Sequence, residues 1–98
     1  MLATTPPSAY DGPPELLDAV VRALSWVTNP QTGRGVLEER RVRTARIGAG
    51  TAVVHLAMRE SPIACVVVED VEAELFDHLA GRWPVRVILL QQPLLRLA

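Results

Sequence analysis

From Leu17 through Val20, Val21 and Leu24 to Val27, apolar residues recur every three or four positions. This is the spacing of one helix face, and it predicts an amphipathic helix over residues 14–28. Pro14 suits its first turn. Asn29-Pro30 ends it, because proline lacks the amide that would continue the ladder and keeps the residue before it out of the α region. The segment QTGRG at 31–35 reads as a loop with glycines at 33 and 35. From Val36 to Ile47 the pattern turns to β-branched residues, leucine and arginine, and predicts a strand. Gly48-Ala49-Gly50 supplies a turn, and Thr51 to Arg59 alternates. Ala52, Val54, Leu56 and Met58 share one face and Val53, His55, Ala57 and Arg59 the other, which is a hairpin with one face on a core. Ser61-Pro62 is a helix start and Gly81 a stop. Between them Ala64, Val67, Val68, Val71, Leu75 and Leu79 form an apolar stripe. The run Cys65 to Val68 also has strand character through its three valines, but a stripe that persists to Leu79 favours helix. After Pro84 a last strand runs from Val85 to Gln91. The predicted fold is α+β, a two-layer sandwich in the order helix, strand, strand, helix, strand, with a small sheet carrying its helices on one face.

Residues 1–13, with three prolines and one glycine among small and polar residues, are expected to be a flexible leader. Residues 14–98 then form a single domain, as a chain of 98 residues allows. The leader has no basic stretch followed by an apolar one, so no signal peptide is expected. No apolar run approaches the ~18–20 residues that a membrane span needs, and the cytoplasm is the expected location. Only Tyr10, Trp26, Phe76 and Trp83 are aromatic, so aliphatic side chains must fill the interior. All ten basic residues are arginine, against eleven acidic ones, for a net charge of −1. That balance disfavours nucleic acid as a partner. The arginine enrichment reads either as a GC-rich genome or as selection for bidentate anion contacts. One cysteine excludes an internal disulfide. With only His55 and His78 as further soft ligands, the chain has too few for a four-thiolate or a two-cysteine, two-histidine site.

Residues 29–42, NPQTGRGVLEERRV, resemble the signature Asp-Pro-Glu-x-Gly-x-Ser-Ile/Val-x-Asp/Glu-Leu-Gly-Leu-Val of the metal-sulfur (iron-sulfur) cluster assembly domain family. That family includes a SUF-system accessory protein, the phenylacetate-oxygenase accessory protein PaaD and the N-terminal domain of Mrp-type ATPases. Pro30, Gly33, Val36, Glu38 and Val42 match without a gap, and the hairpin, the Ser61-Pro62 helix start and the final strand follow in the family's order, so the resemblance spans roughly residues 14–93. The departures are Asn29 for Asp, Gln31 for Glu, and Glu39-Arg40-Arg41 for Leu-Gly-Leu. The family's Thr-x-Pro-Gly-Cys-Pro puts cysteine two residues after the proline. Here Ala64 holds that place and Cys65 follows it, a shift of about 100° around a helix.

The resemblance implies an accessory protein that docks on a client metalloenzyme or assembly protein and passes iron or sulfur through Cys65. Glu38 is the second implied metal residue, and Asn29, Pro30 and Gly33 shape the adjacent loop. No intrinsic cofactor is implied, only transient iron or an iron-sulfur cluster as cargo. In the first turn of the second helix the dipole favours a negatively charged sulfur. The plainer reading of Cys65 is a small apolar side chain that packs, and of Glu38 an exposed strand carboxylate paired to arginine. His55 is expected to face solvent or an interface, and His78 to sit near a helix C-terminus, where the dipole suits it. Glu69, Asp70, Glu72, Glu74 and Asp77 line the outer part of the second helix beside Val66, Ala73 and Phe76, either merely solvated or a docking face.

No catalytic residues are expected. Without lysine a Walker A loop is impossible, and neither Gly-x-Ser-x-Gly nor His-Glu-x-x-His occurs. The alternative function is a metal-free protein–protein binding subunit that keeps the fold and uses Arg40, Arg41, Arg43 and Arg46, or the helix face around Phe76. The last strand is apolar on both faces, which points to a homodimer or a client contact.

Overall fold

The structure, a computed structural model, describes residues 10–90. In chain order the elements are β1 (Tyr10–Asp11), α1 (Pro14–Ser25), β2 (Val42–Gly48), β3 (Thr51–Leu56), α2 (Pro62–His78) and β4 (Val85–Leu89). The sheet order is β1-β2-β3-β4. β2 and β3 form the expected antiparallel hairpin, while β1 runs parallel to β2 and β4 parallel to β3. Ala49 (φ 53) and Gly50 (φ 79) make its two-residue turn with both φ positive, the type I′ geometry that follows the twist of the strands.

The predicted α+β sandwich is the one observed. Ala45 and Ile47 of β2 and Ala52, Val54 and Leu56 of β3 all point into one core with Val20, Ala23 and Leu24 of α1 and Ala64, Val67, Val71 and Leu75 of α2. The second helix is helical throughout, including Cys65 to Val68. Val85, Val87 and Leu89 of β4 stand in register with Ala52, Val54 and Leu56 and pack against that same core.

Several boundaries differ from expectation. Residues 10–13 belong to the fold and not to the leader: Tyr10 and Asp11 pair with Ala45 and Arg46, and Tyr10 rests against the core. Residues 1–9 lie outside the described residues. The first helix ends at Ser25 rather than 28, with Trp26 and Val27 bonded three residues back. Thr28 must leave the helix because it bridges Gly35, and Val21 turns outward. The strand predicted from Val36 begins only at Val42. Val36 is fully buried, donates to the Val27 carbonyl (3.0 Å) and accepts from Arg41 (2.9 Å), so residues 36–40 coil against the end of α1 instead of extending. β3 stops at Leu56, where Leu90 donates to the Leu56 carbonyl at 2.7 Å. β4 is defined as far as Leu89, and Gln91 lies outside the described residues. Among the described residues no helix is long and apolar enough to cross a membrane.

Candidate functional site

Two local structures hold the residues that the sequence singles out. The first is the loop from Asn29 to Arg41. Asn29 is only 2% exposed, and a buried amide must find partners for both its ends. Its Oδ1 accepts from the Gln31 amide (2.9 Å), closing an Asx turn, and its Nδ2 donates to Glu39 Oε1 (3.1 Å). The Asn29 backbone donates to the Arg34 carbonyl (2.8 Å) and accepts from Thr32 (3.1 Å) and Gly33 (2.7 Å). Gly33 has φ 74, and Pro30 is exposed beside it.

Glu39 ties this loop together. Its second oxygen accepts from the Thr32 hydroxyl (2.6 Å), and Arg41 Nε lies 3.4 Å from the first. The bond from Thr32, then that from Asn29, and the bond and charge of Arg41 hold the Glu39 carboxyl below its ordinary value, while partial desolvation pushes the other way. Arg41 goes on to donate from Nη1 to the Ala57 carbonyl (3.2 Å), and the Ala57 amide returns a bond to the Arg41 carbonyl (2.6 Å). The loop is thereby anchored to the chain just past β3, four residues before Ser61.

Several sequence expectations are corrected here. Arg40 and Arg41 are not strand positions. Arg40 sits in the turn with φ 58, at the place where the resembled signature has glycine, and Arg41 bonds to Glu39 and Ala57. Glu38 is a turn residue, not a strand carboxylate. It is exposed, lies 3.2 Å from Arg34 and accepts from the Gly35 amide, which bears out its pairing with arginine. Glu39 is the residue that sequence reasoning passed over. The available signal was its joint departure with Asn29: an Asp at 29 would face Glu39 carboxylate to carboxylate, whereas asparagine turns that contact into a hydrogen bond.

The second structure is the start of α2. Ser61 caps it as expected, its Oγ accepting from Ala64 at 3.0 Å, with Pro62 in the first turn. Ala64, at the cysteine position of the resembled motif, is wholly buried, and Cys65 is a free, exposed thiol. Ala64 thus faces the core, and Cys65, one residue on, faces solvent. The neighbouring amides are largely committed. Pro62 has none, that of Ala64 goes to Ser61 Oγ, and that of Cys65 goes to the Ser61 carbonyl at 3.0 Å. Glu69 and Glu72, one and two turns on, are exposed on the same flank by helical spacing. Among the described residues no three His, Cys, Asp or Glu side chains converge as a metal site; Cys65 and Glu38 belong to no such group.

Elsewhere, His55 lies on the sheet face away from the core, with Nδ1 2.8 Å from Thr44 Oγ1. His78 meets the Glu74 carbonyl at 2.9 Å near the end of α2. Arg43 and Arg46 are exposed on β2. Phe76 is 58% exposed, as expected, with its ring against Gly81 at one side of an open groove of about 590 Å3 that Glu72, Arg82, Trp83 and Val85 also line.

No family model and no curated protein matches the chain. Solved structures do. The crystal structure of the domain of unknown function DUF59 from Bacillus anthracis superposes with a TM-score of 0.70 at 19% identity, over 79% of this chain and 76% of that one. The chain has a DUF59-type fold. A second solution structure, of Rv1466 from Mycobacterium tuberculosis, described as associated with Fe-S complex assembly and repair, matches with a TM-score of 0.55 at 20% identity, over 84% of this chain and 74% of that one. The DUF59-type fold is the one that the resemblance of residues 29–42 implies.

Proposed function

We propose that the protein is a non-catalytic accessory factor in iron-sulfur cluster or metalloenzyme maturation, which docks on a client and handles iron or sulfide as cargo through Cys65. The observation that carries this reading is the exposed thiol in the first turn of α2, in a fold shared with a protein associated with Fe-S complex assembly and repair. One thiolate fills one of the four positions that iron or a cluster asks of its cysteine ligands. The remaining ligands therefore come from the client, from a second copy or from a small thiol, and the cargo is held in passing. The loop braced by Glu39 and Arg41 is the wall that we propose for docking, and the cytoplasm is the compartment that we propose for this role.

A specific observation favours a second reading. Ala64 is sealed in the core where the resembled motif has its cysteine, as in a member that has kept the fold as a metal-free binding subunit. Anaerobic incubation with ferrous iron, sulfide and a small thiol separates the two. Thiolate-to-iron absorption that disappears in Cys65→Ala supports cargo handling, and a spectrum identical in wild type and Cys65→Ala leaves the binding subunit.

A further inference from the structure

α2 and the sheet carry opposite charges on opposite sides of the molecule. The sequence of α2 contains Glu69, Asp70, Glu72, Glu74 and Asp77 and no arginine. The strands β2, β3 and β4 contain Arg43, Arg46 and Arg86 and no carboxylate; Asp11 on β1, beside Arg46, is the acidic exception in the sheet. Helices cover only the face that bears Ala45, Ile47, Ala52, Val54 and Leu56. On the other face, register places Asp11, Arg46, Val53 and Arg86 in one cross-strand row and Thr44, His55 and Ile88 in the next. Val53 and Ile88 are half-buried and the two arginines exposed, so the bare face has an apolar middle between cations. The outer side of α2 mirrors it: Asp70, Ala73 and Asp77 are exposed, with Val66 and Phe76 as exposed apolar neighbours. Within the described residues none of Arg46, Arg86, Asp70 and Asp77 is ion-paired.

We propose that these two faces meet between copies of this chain, the outer side of α2 of one molecule lying across the bare sheet face of the next. The spacings agree. Arg46 and Arg86 are separated by two inter-strand steps, about 9.5 Å, and Asp70 and Asp77 by seven helical residues, about 10.5 Å. With Asp70 over Arg46 and Asp77 over Arg86, the small side chain of Ala73 falls over Val53 and lets the helix approach. The faces are different surfaces on opposite sides of the molecule, so the contact is heterologous: each added copy leaves a sheet face free at one end and a helix face at the other, giving a ring or an open chain. Exposed ion pairs supply register and are screened by salt.

Sedimentation or light scattering of the full chain over a range of concentrations tests this. The expected result is mass that grows with concentration at low salt, and association that weakens roughly tenfold in 1 M NaCl, as for the loss of two exposed pairs near the upper end of their usual strength. Arg46→Glu with Arg86→Glu, and separately Asp70→Arg with Asp77→Arg, should each be monomeric. Mixed together the two variants should associate again, because each offers the face that the other lacks, and this restoration also shows that both are folded. Cys65→Ala should leave the association unchanged, so that it and the handling of iron fail independently. A wild type that is monomeric at low salt overturns the proposal and leaves the bare face to an acidic client. So does an association whose strength is unchanged in 1 M NaCl or that survives either charge reversal, as pairing through the open β4 edge would.

Discussion

Arg40 holds φ 58 in a region that an L side chain occupies at a cost of roughly 1–2 kcal/mol. Replacing it by glycine removes that cost and adds back about 0.4–1 kcal/mol of unfolded-chain entropy. Arg40→Gly is accordingly expected to raise stability by about 0.5–1 kcal/mol in urea denaturation. A loss instead would mean that the arginine side chain contributes a contact that offsets the strain. The neighbouring Glu39 makes a different prediction. Its folded carboxyl lies below the ordinary 4.5, so the folded state binds its proton less tightly than the unfolded chain does. Its contribution is present above the unfolded value and is lost as pH falls through the lower folded value. The amides of Thr32, Gly33 and Arg34 are expected to lose hydrogen-exchange protection selectively in that acid window, and Glu39→Gln to remove the pH dependence.

Among the elements, α2 is the one where local chemistry and the proposed function meet. Ser61 fixes its first turn by accepting from Ala64, and loss of an N-cap hydroxyl costs about 1 kcal/mol. Ser61→Ala should reduce stability by that amount. It should also speed exchange of the Ala64 and Cys65 amides ahead of the rest of α2, because both bond to Ser61. Equal acceleration along the whole helix would show instead that packing of Val67, Val71 and Leu75 sets the start of the helix. The hairpin and the C-terminal half of α2 were both legible in the sequence, since each rests on a repeat of two or of 3.6 residues that one strand or helix imposes on itself.

For the molecule as a whole, the layer arrangement leaves one sheet face and one helix face uncovered, and their opposite charges are what makes association between copies testable. The pattern of residues already contained the hairpin, the two helices, the buried stripes and the outward acidic run of α2, because periodicity reports which side of an element avoids water and needs no knowledge of what lies opposite. It did not contain the strand order, the addition of Tyr10–Asp11 at the sheet edge, or the coil at 36–40, where buried Val36 reads in sequence like any strand valine. Nor did it contain the partnership of Asn29, Thr32, Glu39 and Arg41. Those depend on which groups, distant along the chain, the packed core brings within hydrogen-bond reach, and that choice exists only once the layers have closed on one another.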